Sequence, residues 1–211
     1  MKESVCSPLV GCVVMASGRS QRFGSNKLLA SFGGQPMLCR ALALARSPLL
    51  DARVAVTRCE EAAQLCREAG VPVLLHDRPL RSDTVALGLG ALLEQQPALA
   101  GCIFLPGDQP LLRSGTLERM IRSFRSAGPD AGRQILRLAW TSPDGICQAG
   151  SPVLFGQEYF ESLLHLPPGQ GGSAILRQHP GQVQRIPAQS PLELQDADTP
   201  EALRALEAQR E

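Results

Sequence analysis

The sequence is poor in aromatic residues and has no long apolar segment. It contains one Trp, one Tyr and six Phe among 211 residues, so a surface that stacks unpaired bases is not expected. No apolar run approaches the roughly 20 residues that a membrane-spanning helix needs. The formal net charge is only +1, which gives no general attraction to nucleic acid or to a membrane surface. Neither partner class is therefore expected.

Paired cysteines are also missing. The chain has seven Cys, an odd number, and no Cys-x-x-Cys spacing occurs. A structural zinc site is therefore unsupported. Cys12 and Cys102 lie within apolar runs, which is typical of reduced, buried thiols in a cytosolic protein. We expect a cytoplasmic protein without a disulfide framework.

Acidic residues are absent from a long segment near the start of the chain. No Asp or Glu occurs between Ser4 and Leu50. The same interval holds five basic residues, which are Arg19, Arg22, Lys27, Arg40 and Arg46. Because the whole chain is nearly neutral, this local excess of positive charge indicates a local basic site.

Short apolar segments alternate with helical patterns in the first part of the chain. Strands are predicted at 9–15, 54–57, 71–75 and 101–105. Helices are predicted at 36–45, 60–69, 82–94 and 116–125. Four successive strand–helix units predict βαβ units and a mostly parallel sheet, with strands that are covered on both faces.

The pattern changes after residue 128. Further strands are predicted at 134–139, around 152–155 and at 183–186. Further helices are predicted at 157–164, at 173–178 and from Thr199-Pro200 onwards. No internal repeat and no linker separates the two parts, so we expect one domain over residues 1–211.

The connection between the first strand and the first helix, residues 16–35, is unusually long. Such βα connections usually have 2–6 residues. Gly18 and Gly24 permit a backbone whose N–H groups converge on an anion. Arg22 and Lys27 add positive charge at the carboxyl end of a parallel strand, where ligands bind.

The expected ligand of this loop is a polyphosphate. The loop is not a Walker loop, because it lacks the Gly-Lys-Ser/Thr ending, and it is not the dinucleotide Gly-x-Gly-x-x-Gly. The alternative is a flexible solvated loop without a ligand.

Carboxylates follow later in the chain. Asp108 comes directly after an apolar strand, in CIFLPGDQP, and a carboxylate that faces a polyphosphate needs a cation such as Mg²⁺ between them. Asp196, in LQDADTPEAL, is a candidate second metal ligand. Asp198 either joins it or assists the cap of the last helix. An ordinary turn role is the alternative for Asp108.

Two other groups of residues carry less specific signals. Ser82, Asp83 and Thr84 either cap a helix or present donors and acceptors to a nucleobase edge. The three histidines have no pattern of a catalytic dyad or metal site, so surface or packing roles are expected for His76, His165 and His179. No Gly-x-Ser-x-Gly sequence supports serine hydrolysis.

Two motifs together resemble those of a known family. The segment MASGRSQRFGSNKLLASFGGQPML resembles the opening signature of the MobA-like nucleotidyltransferases, and FLPGDQPLL is similar to their metal-binding Gly-Asp-x-Pro segment. QAGSPVLF, GQGGSAILRQHPGQV and DADTPEAL are similar to later segments of the molybdenum cofactor cytidylyltransferase branch. The similarity runs from about residue 9 to residue 204.

The resemblance implies a Rossmann-like nucleotidyltransferase fold, an α/β/α arrangement of three layers, and transfer of a nucleoside monophosphate from an NTP with release of pyrophosphate. It places Arg22, Lys27 and Asp108 in catalysis. Nucleotide-binding residues would be Ala16, Ser17, Gly18, Arg19, Arg22, Lys27, Ser82, Asp83 and Thr84. Acceptor-binding residues would be Gly150, Ser151 and Pro152, and Mg²⁺ would bind Asp108 and Asp196, with Asp198 the weaker candidate.

Departures from the family pattern bear on the substrates. Ser17 stands where the guanylyl branch has a glycine. The serine side chain narrows the base pocket, which favours CTP over GTP. RSDTVALGL is similar to a segment of the isoprenoid-pathway cytidylyltransferases, in which Thr84 would take the place of a Ser that touches cytosine. The opening loop and GQGG favour a molybdopterin-type phosphate acceptor.

Three alternatives remain open on the sequence. They are an isoprenoid-pathway cytidylyltransferase, a sugar-phosphate nucleotidyltransferase, and a non-catalytic accessory protein that binds nucleotide or pterin for a molybdenum hydroxylase.

Overall fold

The structure, a computed structural model, describes residues 7–210. Residues 1–6 and 211, which include Cys6 and both ends of the expected domain, lie outside the described part.

Nine strands and seven α-helices make up the regular structure of the described residues. The strands are β1 Leu9–Ala16, β2 Ser31–Phe32, β3 Gln35–Pro36, β4 Ala52–Thr57, β5 Val73–Leu75, β6 Leu99–Pro106, β7 Ile135–Thr141, β8 Cys147–Gly156 and β9 Val183–Pro187. The helices are α1 Leu38–Ala45, α2 Glu60–Glu68, α3 Arg81–Gln95, α4 Ser114–Ser126, α5 Phe160–Leu164, α6 Ser173–Gln178 and α7 Pro200–Glu207. Short 3₁₀ helices occur at Lys27–Leu29, Gly128–Arg133, Gln157–Tyr159, Pro180–Gln182 and Pro191–Leu194.

Seven strands form one mixed sheet in the order β5-β4-β1-β6-β8-β7-β9. The pairs β4–β5, β1–β4, β1–β6 and β7–β9 are parallel. β8 runs antiparallel to both β6 and β7. The mostly parallel central sheet predicted from the sequence is confirmed, and the change of pattern after residue 128 corresponds to the antiparallel strand.

Helices cover both faces of the sheet, because alternate residues of each buried strand point to opposite sides. Val10, Cys12 and Val14 of β1 belong to a core cluster with side chains of α1, α2, α4 and α7. Val13 belongs to a second cluster with side chains of α3, α5 and α6. The three-layer α/β/α arrangement follows from these two cores.

Close packing brings α3 onto the sheet at Gly88. A Cβ atom at this position would lie 2.5 Å from a Val13 methyl group, so only glycine fits the approach of the helix to β1.

The start of the first helix differs from the sequence prediction. Helix α1 begins at Leu38 rather than Pro36, because Gln35-Pro36 pairs with Ser31-Phe32 in a small antiparallel hairpin. The long connection after β1 is therefore partly regular structure. It contains this hairpin and a 3₁₀ turn at Lys27–Leu29.

The six described cysteines are all unpaired. Cys12 and Cys102 are buried as expected, and Cys66 is buried as well, whereas Cys147 is exposed on β8. Between residues 7 and 210 there is no helix with the length and hydrophobicity to cross a bilayer.

Candidate functional site

The strand order reverses at β1. The chain moves from β1 to β4 and β5 on one side of the sheet, then crosses to β6 on the other side of β1. In open α/β sheets a crevice forms at such a point, beyond the carboxyl ends of the strands. The basic loop follows β1 at this edge, and Pro106-Gly107-Asp108 follows β6. Gly107 N–H donates to the Met15 carbonyl at 3.1 Å, which ties the two strand ends together.

Local hydrogen bonds give the basic loop a defined shape. Ser20 has a positive φ of 50°, which is uncommon for a residue other than glycine and typical of functional loops. Its carbonyl accepts from Phe23 N–H at 2.9 Å, and its hydroxyl accepts from Lys27 N–H at 3.1 Å. Asn26 caps the following 3₁₀ turn through its side chain, which accepts from Leu28 N–H at 3.1 Å. The backbone of Lys27 is therefore fixed by hydrogen bonds within the loop.

The predicted basic and acidic residues meet in one ion-pair cluster. Lys27 Nζ contacts Asp108 Oδ2 and lies 2.7 Å from Asp198 Oδ1. Arg22 Nη2 lies 2.5 Å from the other oxygen of Asp198. The Lys27 side chain is 9% exposed, whereas that of Arg22 is 71% exposed. Lys27 is thus the central cation of the cluster, and Arg22 lies on its solvent-facing side.

The charges of this cluster shift the pKa values of its members. Burial by itself lowers the pKa of Lys27, but the Asp108 and Asp198 carboxylates outweigh burial and the net pKa is raised. The hydrogen bond from Lys27 lowers the pKa of Asp198. Burial, followed by the nearby Asp108 carboxylate, raises the pKa of Asp196. Asp108 therefore has a cation on one side and a second carboxylate on the other.

Asp196 does not join the ion pairs with Lys27. The residue as a whole is exposed, although burial of its carboxyl group raises its pKa, and its Oδ1 accepts from Gln109 Nε2 at 2.9 Å. The backbone also links the two acidic segments, because Ala197 N–H donates to the Asp108 carbonyl at 2.9 Å. Asp196 and Asp108 are thus neighbours that a cation between them would stabilise.

The donor set suits a cation that is shared with a phosphate. In residues 7–210 no group of three or more His, Cys, Asp or Glu side chains is arranged as a complete metal site. Mg²⁺ is usually held by one or two carboxylates together with substrate phosphates and waters. Asp108 and Asp196 fit that requirement, and the Lys27 ammonium balances Asp108 in the free protein.

A cavity of about 370 Å³ extends from this cluster along the sheet edge. We call its polar part, which is lined by Ser17, Gly18, Arg19, Lys27 and Asp108, the mouth. We call its mainly apolar part, which includes Phe104, Val153, Phe155, Leu163 and Leu176, the far end. Arg81 and Arg137 are the charged residues that line the cavity away from the mouth.

Most other predicted residues lie around this cavity. Gly150, Ser151 and Thr84 line it, and Pro152 is buried next to them. Ala16 lines instead a second, open cavity on the other side of the basic loop, together with Arg58 and Cys59.

The remaining two members of the Ser82-Asp83-Thr84 segment have mainly local partners. Asp83 accepts from Leu80 N–H at 3.1 Å, which is the capping role that the sequence left open. Ser82 accepts from Gly169 N–H at 3.2 Å, which connects α3 to the Pro167–Gly172 loop.

Sequence reasoning missed two residues of the site. Nε2 of His76 lies 2.8 Å from the Ser17 hydroxyl, so this half-buried histidine contacts a residue that lines the cavity, a contact that the expected surface or packing role did not include. Arg137 donates to the carbonyls of Ala149 and Gly150 at 2.9 and 3.1 Å, and it lines the cavity. Neither residue lies in a recognisable motif, because both reach the site only through strand pairing.

Comparisons with known proteins show the family and the fold of the chain. The model of the MobA-like NTP transferase domain family matches residues 12–183. A relative named bifunctional protein GlmU, from Rubrobacter xylanophilus, is 31% identical over 145 residues, which are 66% of this chain and 30% of that protein. The chain thus spans less than a third of the length of that relative.

A second relative and a solved structure cover more of their own length. A probable molybdenum cofactor guanylyltransferase from Rhodopirellula baltica is 28% identical over 147 residues, 68% of this chain and 67% of that protein. The crystal structure of Rv0371c from Mycobacterium tuberculosis superposes with a TM-score of 0.77 at 23% identity, over 96% of this chain and 99% of that one. The structural similarity shows the fold.

Proposed function

The chain belongs to the MobA-like NTP transferase family, and on that basis we propose that it transfers CMP from CTP to a molybdopterin-type acceptor. A terminal phosphate oxygen of the acceptor attacks the α-phosphorus of CTP. The bond from the α-phosphorus to the bridging oxygen breaks, and pyrophosphate leaves. Such transfers depend mainly on positioning and charge neutralisation.

The observation that carries this proposal is the ion-pair cluster at the mouth of the cavity. Near the ends of β1 and β6, the nearly buried Lys27 pairs with Asp108 and Asp198, and the exposed Arg22 pairs with Asp198. Bound triphosphate would take over the contacts of Lys27 and Arg22 with the carboxylates. The two cations would then stabilise the negative charge that develops on the leaving pyrophosphate.

Asp108 and Asp196 would hold a divalent cation, for which we propose Mg²⁺. When bound, the ion supplies a positive charge that neutralises phosphate oxygens. Gln109 supports this arrangement by fixing the orientation of the Asp196 carboxylate through its side-chain amide.

The far end of the cavity favours a heterocyclic acceptor over a sugar. Phe104, Val153, Phe155 and Leu176 offer apolar contact. A sugar has many hydroxyl groups, and burial of a hydroxyl without a hydrogen bond is unfavourable. A flat heterocycle such as a pterin presents an apolar face to these side chains, and Arg137 is available for its phosphate.

GTP is the second candidate donor. The relative from Rhodopirellula baltica is named as a probable guanylyltransferase, and its name fits GTP rather than CTP. Ser17 supports CTP, because its side chain narrows the space at the end of β1.

One assay tests the function. The purified chain is incubated with CTP, GTP, UTP or ATP, with Mg²⁺, and with molybdopterin, methylerythritol phosphate or a sugar phosphate, and pyrophosphate is measured. We expect release with CTP and molybdopterin that chelation of the metal abolishes. Release only with another acceptor would assign an isoprenoid- or sugar-type transferase. Nucleotide or pterin binding without release would instead assign an accessory protein, for example for a molybdenum hydroxylase.

A further inference from the structure

The Ser17 hydroxyl has two partners inside the protein. Its Oγ lies 3.0 Å from the Val56 carbonyl oxygen and 2.8 Å from His76 Nε2. The Ser17 backbone is fixed as well, because its carbonyl accepts from Arg58 Nε at 3.2 Å. Ser17 also lines the main cavity. The side chain is therefore held by strand β4 and His76 while one side of it faces the ligand space.

Counting hydrogens fixes the direction of both bonds. A serine hydroxyl has one hydrogen and two lone pairs. The Val56 carbonyl can only accept, so the single hydrogen of Ser17 goes to it. The hydroxyl must then accept from His76, which requires that Nε2 carries a proton.

The other nitrogen of the imidazole supports a neutral ring. His76 Nδ1 is buried and has no hydrogen-bond partner. A proton on Nδ1 would be a buried donor without an acceptor, which is unfavourable. Burial, followed by the nearby Arg58 cation, also lowers the pKa of His76. His76 is therefore a neutral imidazole with its proton on Nε2.

This arrangement leaves Ser17 with one free lone pair and no free hydrogen. We propose that His76 is a positioning residue that fixes the Ser17 hydroxyl as an acceptor, so that the site selects a nucleobase with an amino group. The inference rests on the proposed function, because it places the nucleobase at the end of β1. Phosphate oxygens only accept, so they find no hydrogen-bond partner in Ser17 and remain with Lys27 and Arg22.

Two matched pairs of nucleotides isolate this selection. CTP and UTP have nearly the same shape, but cytosine has an amino group at position 4 where uracil has a carbonyl oxygen. GTP and ITP differ only in the 2-amino group of guanine. An acceptor-only hydroxyl stabilises the amino group, and it leaves the carbonyl of UTP facing another acceptor without a hydrogen between them.

The test is equilibrium binding of the four nucleotides with Mg²⁺ to the full chain, measured by calorimetry. The variants are Ser17→Ala, His76→Ala, His76→Gln and the Ser17→Ala/His76→Ala double variant. His165→Ala is the control, because His165 is an exposed histidine whose contacts are with Glu161 of α5. Gln retains an N–H donor at about the position of Nε2, so His76→Gln separates the hydrogen bond from the mere presence of the ring.

We expect the wild type to bind the amino member of at least one pair about tenfold more tightly than the other member. This difference in affinity corresponds to the free energy of one lost hydrogen bond. Ser17→Ala and His76→Ala each reduce that preference to about twofold or less. The double variant has the same reduced preference as each single variant, because the two residues act together. His76→Gln and His165→Ala retain the wild-type preference. Pyrophosphate release by each variant with its preferred nucleotide is measured in parallel.

Several outcomes overturn the inference. An unchanged preference in Ser17→Ala overturns it, and so does a preference that folded His76→Ala retains as fully as His76→Gln does. Either result assigns the hydroxyl to ribose or to packing. Continued pyrophosphate release by these variants leaves the proposed function intact. Absence of any preference in the wild type also overturns it. Failure of the wild type to bind any of the four nucleotides overturns the inference together with the proposed function.

Discussion

The two ends of the cavity differ in how they are built. The mouth is a cluster of opposite charges, with Lys27 between Asp108 and Asp198. The far end is a wall of apolar side chains from β6, β8, α5 and α6, with Arg137 on its polar edge. In the proposed function, the charges at the mouth would bind the phosphates of any nucleotide, whereas shape and polarity at the far end would distinguish one acceptor from another. We therefore expect substitutions at the mouth to affect the reaction itself and substitutions at the far end to affect the acceptor.

Asp108→Asn gives the largest expected effect on the mouth. The substitution removes a carboxylate that faces both Lys27 and Asp196, and we expect turnover to fall by about 10³-fold, the upper end for loss of one preorganised charge. Pyrophosphate release under single-turnover conditions measures it. The fold should persist, because Lys27 retains Asp198 and the Asp108 backbone bond to Ala197 does not involve the side chain.

Asp144→Asn, in the exposed turn between β7 and β8, is the matched control for this change. Circular dichroism checks that both variants are folded. Near-normal metal-dependent release by folded Asp108→Asn would remove Asp108 from the catalytic residues.

Lys27→Ala sharpens the comparison within the mouth itself. Lys27 contacts two carboxylates and is nearly buried, so its loss should reduce the single-turnover rate by about 10²–10³-fold. Arg22→Ala removes a cation whose side chain is 71% exposed, and solvent and salt screen such a charge. We expect a reduction of about tenfold or less for Arg22→Ala. A smaller loss for Lys27→Ala than for Arg22→Ala would contradict the central position of Lys27.

The mouth could be predicted from the sequence because its residues follow directly after strands. Arg22, Lys27 and Asp108 lie in two motifs at the carboxyl ends of β1 and β6, and parallel strands bring such ends together. The family membership that these motifs predict is confirmed. The sequence did not predict that Asp198, rather than Asp196, pairs with both cations. The two lie two residues apart, and only the three-dimensional path of the chain distinguishes them.

The far end could not be predicted in the same way. Apolar residues of β6 and β8 look like ordinary core, and nothing in the sequence tells which of them face a cavity. Arg137 reaches the site through the pairing of β7 with β8, and His76 reaches it because it directly follows β5, where its N–H donates to the Thr57 carbonyl of β4 at 3.0 Å. The mostly parallel sheet was predictable from its apolar runs, whereas the hairpin at 31–36 was not, because Pro36 is equally typical of a helix start.

Arg137→Met should give a smaller effect than Asp108→Asn or Lys27→Ala and confine it to the far end. The substitution breaks no ion pair, but it removes the Arg137 donor from the carbonyls of Ala149 and Gly150. In the proposed function, it also removes a cation from the acceptor substrate. We expect the KM for molybdopterin to rise about tenfold, as for one charge-assisted hydrogen bond, and the KM for CTP to stay unchanged. Arg185→Met is the control, because Arg185 is the exposed register partner of Arg137 on β9. An equal rise in both KM values would show that the two ends of the cavity do not act separately.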